Sequence, residues 1–154
     1  MSATGNHDRA SAGDASHAGD APPPAPVHLA ITDDWDGAVT RRHVRQLARH
    51  AGLSEVYIQA LATATSEIVR NVVVHAKRGE VWLDLVKEAG RRGVVAVVRD
   101  AGPGIPDVGL AMEDGYSTKH GLGLGLPSAR RLVDEFELVS MVGRGTTVVL
   151  KKWR

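Results

Sequence analysis

The sequence predicts an α/β fold: a two-layer sandwich in which a mixed, mostly antiparallel sheet carries helices on one face. Three observations predict it. Helix-period apolar residues cluster in the first half of the chain. Valine-rich strand runs dominate from residue 80 onward. Glycine-containing turns at 89–93 and 143–145 join neighbouring runs as hairpins.

The elements follow in order. Residues 1–26 (MSATGNHDRASAGDASHAGDAPPPAP) have no large apolar residue after Met1, so they bury too little surface to offset ordering entropy and read as a disordered tail. They contain no apolar signal-peptide core. One domain is expected over 27–154. VHLAI at 27–31 suits an entry strand, and TDDWDG reads as a turn. A basic amphipathic helix is expected from about Ala38 to His50, closed by Gly52.

Ser54 offers an N-cap to a long core helix. Its apolar positions Ile58, Leu61, Ala62, Thr65, Ile68, Val69, Val72, Val73 and Ala76 keep helical spacing for six turns. Strands near 80–87 and 93–99 flank AGRRG. Residues 100–120 hold turn formers without a period and read as a long, mobile loop of the kind that usually carries function. A helix from about Pro127 to Phe136 and a final hairpin, ELVSMV and TTVVLKK, complete the domain.

Composition narrows the function classes. The chain has no cysteine, which excludes disulfides, thiolate metal sites and thiol catalysis. Arg9 against Asp8, Asp14 and Asp20 leaves the tail at −2 of a total of +1, so the remainder is at +3, too mild a charge to argue for nucleic acid. Apolar runs fall short of a membrane span. A cytoplasmic protein with neither a membrane nor a nucleic-acid partner is the expectation.

Three stretches carry candidate chemistry. Glu67 and Asn71 lie four apart, one helical turn, on a face away from the apolar stripe. They read either as two solvated residues or as a proton acceptor beside an amide oxygen for Mg²⁺, which takes only one or two protein oxygens and completes its octahedron with water and phosphate. His75 continues the row, as a phosphate-facing or a structural histidine. Asp100-Ala101-Gly102-Pro103-Gly104 ends a valine-rich strand, placing an acceptor at the sheet edge where glycines permit close backbone approach, or simply making a turn.

The third stretch, GYSTKHGLGLGLPSARR, matches neither G-x-x-x-x-G-K-[ST] nor G-x-G-x-x-G. A glycine-rich loop running into a helix with Pro127 in its first turn remains, and the start of such a helix exposes N–H groups to anions. Arg130 and Arg131 early in this helix, and Asp134 and Glu135 late, reverse the order the helix dipole favours. They present positive potential to an anion together with Lys119 and His120, or point to solvent.

In this order, an E-x-x-x-N helix, D-x-G-x-G, a glycine-rich loop before a helix, and a closing G-x-G-T from Gly143 to Thr146 resemble the Bergerat, or GHKL, ATP-binding fold shared by gyrase, Hsp90, histidine kinases and MutL. Within it, SEIVRNVVVHA, DAGPGIPD, MEDGYSTKHGLGLGLPSARRLVDEF and KKWR resemble the RsbT-like serine/threonine switch kinases of the stressosome. The resemblance covers about residue 28 to the end.

It implies ATP and Mg²⁺ as cofactors, with Asn71 as metal ligand and Glu67 as base for the attacking hydroxyl. It implies Asp100 on the adenine amino group, Gly102 and Gly104 beside the base, and Thr146 supporting the same pocket. Gly121, Leu122, Gly123, Leu124 and Gly125 would close over the phosphates. Lys119 and His120 stand at variable positions of that loop, and His75 has no assigned role. The implied reaction is phosphoryl transfer to a serine or threonine of a STAS-domain antagonist, with a PP2C-type phosphatase as a further partner.

An anti-sigma factor kinase of the same fold, gripping a sigma factor, and a nucleotide-gated binding module without enzymatic activity are the alternatives. A histidine kinase is expected to carry a preceding phosphoacceptor helix pair, and a gyrase or MutL type ATPase a following transducer domain. Neither is expected here.

Overall fold

The computed structural model describes residues 21–114 and 125–154. Most of the expected tail, 1–20, therefore lies outside the described residues, and 21–26 have no regular secondary structure. Strand β1 (Val27–Ile31) leads to helices α1 (Trp35–Ala51) and α2 (Glu55–Asn71), and a π-helical turn (Val72–Ala76) extends α2. Next come β2 (Gly79–Glu88), β3 (Arg91–Asp100), a single turn α3 (Val108–Ala111), α4 (Leu126–Leu132), β4 (Glu135–Met141) and β5 (Gly145–Trp153).

The sheet order is β1-β2-β3-β5-β4, and all four pairings are antiparallel, so the sheet is not mixed. One face is buried, with Val81, Leu83, Val94, Ala96, Val98, Val148 and Leu150 packed against Val44 and Leu47 of α1 and Ile58, Leu61 and Ile68 of α2. The other face, including Trp82, Val97 and Val149, stays partly open. This is the expected two-layer sandwich. Among the described residues no helix is long and apolar enough to cross a membrane.

Local chemistry sets the boundaries. Helix α1 starts at Trp35, earlier than its apolar pattern suggests. The Asp36 carboxylate accepts hydrogen bonds from the backbone N–H groups of Thr32 (2.7 Å) and Asp33 (3.0 Å), which fold TDDWDG into the helix start and hold the Asp36 pKa below its ordinary value. Gly52 closes α1 in the left-handed region (φ 81°), and Ser54 Oγ caps α2 by accepting from Tyr57 N–H. The hairpin turn between β2 and β3 is only Ala89-Gly90, both at positive φ as a primed turn requires, so Arg91 to Gly93 belong to the strand.

Two elements depart from the sequence pattern. The core helix is α-helical only to Asn71; beyond it Lys77 N–H donates to Val72 C=O, the wider hydrogen bond of a π turn. Helix α4 stops at Leu132, four residues earlier than expected. Val133 is extended, and the Asp134 carboxylate accepts from Trp153 N–H (2.7 Å) and Lys152 Nζ (3.2 Å), drawing the chain into the sheet.

The expected reversed charge order is thereby overturned. Arg130 and Arg131 occupy the last turn of α4, where the dipole favours cations, and Asp134 and Glu135 lie outside the helix. Arg131 pairs instead with Asp114 (Nη1 to Oδ1, 2.6 Å).

Candidate active site

A cleft of about 680 Å³, counted with its solvent-open mouth, lies between the end of α2 and the ends of the central strands. Val98 and Val148 form its sheet side, Ile68, Asn71, Val72, His75 and Ala76 its helix side, and Pro103, Gly104 and Ile105 the loop side. Leu126, the first residue of α4, Ala111 of α3 and Pro106 also line it. Most of this surface is apolar, as suits a flat heterocycle, with a few polar groups to orient it.

Those polar groups come from three separate elements. Asp100 ends β3 opposite Thr146 of β5. Gly102 N–H donates to Asp100 Oδ1 (2.8 Å), which fixes the carboxylate and leaves it an acceptor at the cleft. Thr146 Oγ1 shares a hydrogen bond with Ser140 Oγ (2.8 Å), and Ser140 Oγ accepts from Ile105 N–H (2.8 Å). Ser140 therefore ties the Gly104-Ile105 backbone to the strand that carries Thr146. Sequence reading missed it; the signal was a lone hydroxyl inside ELVSMV.

The glycines act by what they lack. A Cβ on Gly102 would stand 2.5 Å from the Ala76 Cβ, so the loop lies directly on the π turn. Gly104 (φ +76°) admits no side chain because the Met141 carbonyl oxygen is there, and Gly145 (φ +118°) packs on the Asp100 carbonyl. DAGPG is thus clamped between the π turn and the β4–β5 turn.

Asn71 is half-buried in the cleft, and its Nδ2 is buried without a hydrogen-bond partner among the described residues. An amide that the described residues leave unsatisfied fits a ligand-directed role, and rotation by 180° would offer its oxygen at the same place. Among the described residues no group of three or more His, Asp or Glu side chains could hold a metal. A hard cation that keeps water and phosphate oxygens needs no such group.

Glu67 is placed differently from Asn71. It does not line the cleft; it borders a groove between α1 and α2 and presses against Gly125, where a Cβ would overlap its Oε2. Gly125, at φ +80°, is the N-cap of α4, so the carboxylate stands where the glycine-rich stretch enters that helix. The structure thus gathers Asn71, Asp100, Gly104 and Thr146 at one cleft, with Gly102 behind its loop, and sets Glu67 and Gly125 together at its side. Lys119, His120, Gly121, Leu122, Gly123 and Leu124 lie outside the described residues. His75 lines the cleft one turn beyond Asn71.

Residues 30–152 match the histidine kinase-like ATPase domain family. The chain is 41% identical over 123 residues to the serine/threonine-protein kinase RsbT of Bacillus subtilis (strain 168), covering 80% of this chain and 92% of the relative. It is 36% identical over 99 residues to the anti-sigma F factor of Geobacillus stearothermophilus, covering 60% and 66%. With the anti-sigma F factor of Thermoanaerobacter sp. (strain X514) it shares 30% identity over 101 residues, covering 62% and 70%. The chain belongs to the histidine kinase-like ATPase domain family, as an RsbT-like serine/threonine kinase.

Proposed function

We propose that the protein transfers the γ-phosphoryl group of ATP to a serine or threonine of a STAS-domain antagonist, as the kinase of a cytoplasmic partner-switching pathway. One observation carries the site reading: Asn71, Asp100 and Thr146, from three elements, converge on a single cleft, and the buried Asn71 amide has no protein partner among the described residues. Asp100 accepts from the adenine amino group, Gly102 holds that carboxylate from behind its loop, Gly104 lies beside the base, and Thr146 holds the pocket through Ser140. Asn71 supplies the protein oxygen for Mg²⁺, which would neutralise phosphate charge.

Glu67 receives the proton of the attacking hydroxyl. The hydroxyl oxygen bonds to the γ-phosphorus as the bond to the β,γ-bridging oxygen breaks, and ADP departs with the electron pair. Gly121, Leu122, Gly123, Leu124 and Gly125, with Lys119 and His120, enter the phosphate site on the sequence resemblance. Activation of a PP2C-type phosphatase belongs to the same proposal, by analogy with RsbT-like proteins.

Incubation with γ-labelled ATP and candidate STAS proteins tests the reading, with label expected on a serine or threonine of the partner. Glu67→Ala should lower transfer by about 10²- to 10⁴-fold while ATP binding persists, and Asn71→Ala should weaken both. Normal transfer by Glu67→Ala would remove the base assignment. The anti-sigma F factor relatives favour one second reading, capture of a sigma factor. Co-purification of a sigma factor, with label on its antagonist, would select it.

A further inference from the structure

Three cations form a row at the end of the sheet away from the cleft. Register sets Lys87 of β2 opposite Arg92 of β3, and Arg154 N–H donates to Arg92 C=O (2.8 Å), which sets Arg154 opposite Arg92 on its other side. Lys87 continues the alternation of Leu83 and Leu85, and Arg92 that of Val94 and Ala96, so both point to the helix side of the sheet. Arg154 does the same, since its Nε lies 3.3 Å from where a Cβ on Gly52 would stand. At the spacing of neighbouring strands the row spans about 10 Å.

Like charges directly opposite one another across strands are destabilising. All three residues are exposed, and among the described residues none has a carboxylate within 4.0 Å. Helix α1 ends here and its dipole favours cations, but Arg49 and His50 already occupy its last turn. The row therefore exceeds what the helix end needs.

Lys87 and Arg92 also line a groove of about 1310 Å³, counted with its open mouth, between the end of α1 and the residues that precede β1. Leu85, Val86, Ala51 and Pro23 wall it, and none of its described lining residues is acidic. Arg92 and Asp100 stand near opposite ends of β3, about 26 Å apart at the rise of an extended strand, so the groove leaves the nucleotide cleft free.

We infer that this row and groove dock a partner protein through an acidic segment that also carries apolar side chains. Its carboxylates pair with Lys87, Arg92 and Arg154, and an apolar side chain enters the groove. Charge complementarity selects the occupant: three cations share no acid, while the net +3 of residues 27–154 is too mild for a nucleic acid and a flat headgroup surface does not enter a groove. The site stands whether or not the kinase reading does.

A labelled peptide of repeated Glu-Glu-Leu is the probe, titrated against the full chain and read by fluorescence anisotropy. The wild type should bind it, and should bind the same peptide with Gln for Glu at least about ten-fold more weakly. Lys87→Gln/Arg92→Gln/Arg154→Gln should weaken binding at least about ten-fold, whereas Arg99→Gln/Arg144→Gln, at exposed cations elsewhere, should change it by less than about two-fold. Lys87→Glu, which sets an acid opposite Arg92, should bind the peptide more weakly and yet melt at a higher temperature than the wild type.

Equal affinity of the wild type and the triple variant for the peptide overturns the site. A lower melting temperature for Lys87→Glu overturns it too, because the row then serves the fold. Tighter binding of a DNA duplex or of phosphatidylglycerol vesicles through the same three residues overturns the protein partner. Peptide binding that appears only in Asp8→Asn/Asp14→Asn/Asp20→Asn gives the row to the chain's own N-terminal acids, and overturns a partner as its occupant.

Discussion

Gly102 shows how far a single residue decides the site. Its missing Cβ lets the loop after Asp100 rest on Ala76, and the Gly102 N–H orients the Asp100 carboxylate from that position. Gly102→Ala should therefore weaken nucleotide binding and lower stability by about 1–3 kcal/mol, the range for overpacking. Ala76→Gly in the same chain should recover part of both, read by calorimetric titration and thermal melting. An unaltered affinity in Gly102→Ala would remove the close packing of loop on π turn from the account. At this scale Asn71 and Asp100, which meet at the cleft, stood out in the sequence as an amide on a polar helix face and an acid followed by two glycines, whereas the four-residue spacing of Glu67 from Asn71 gave no sign that Glu67 lies outside that cleft. Ser140 did not stand out, since a serine among apolar residues of a strand signals many things, and its partners Ile105 and Thr146 are distant in sequence or across a turn.

Helix α4 carries a comparable dependence at the scale of the element. It has seven residues, too few for propensity to sustain it, so its packing must. Leu126, Pro127 and Ala129 are buried, and Leu126 also lines the cleft. Leu126→Ala should cost about 2–5 kcal/mol in urea unfolding and weaken nucleotide binding together. The sequence pattern overextended this helix because the force that ends it is non-local: Asp134 is taken by the backbone of Trp153 and the ammonium of Lys152. Beside it, the Trp153 indole N–H (2.8 Å) and then Lys151 hold the Glu135 carboxyl below its ordinary range, and Glu135, then Glu88, hold Lys151 above its own. A lowered carboxylate pKa contributes stability above the unfolded value that is lost as the pH falls through the folded one. A raised lysine pKa contributes stability below the unfolded value that is lost as the pH rises through the folded one. Glu135→Gln should thus flatten stability at both the acid and the alkaline edge, as melting curves across pH would show; retention of the wild-type profile would place the acid sensitivity elsewhere, with Asp36 the first residue to vary.

The layered architecture of the whole molecule was legible because valine alternation and hairpin glycines specify antiparallel neighbours locally. Strand order was not. That β5 lies inside the sheet, between β3 and β4, follows from long-range packing that no short window contains. This placement also bears on how the chain comes together. The pairs Asp100↔Thr146 and Gly93↔Trp153 are separated by 46 and 60 residues, whereas β2 and β3 meet across a two-residue turn. Local pairing closes first and distant pairing last. Until β5 arrives, β3 holds an open hydrogen-bonding edge beside Val94, Ala96 and Val98, a surface prone to pair with another chain. Refolding yield should therefore fall as protein concentration rises, and pulsed hydrogen exchange should protect β2–β3 amides before those of β5. Asp100 and Thr146 face each other in that late ladder, so the cleft proposed to take nucleotide is completed only as folding finishes.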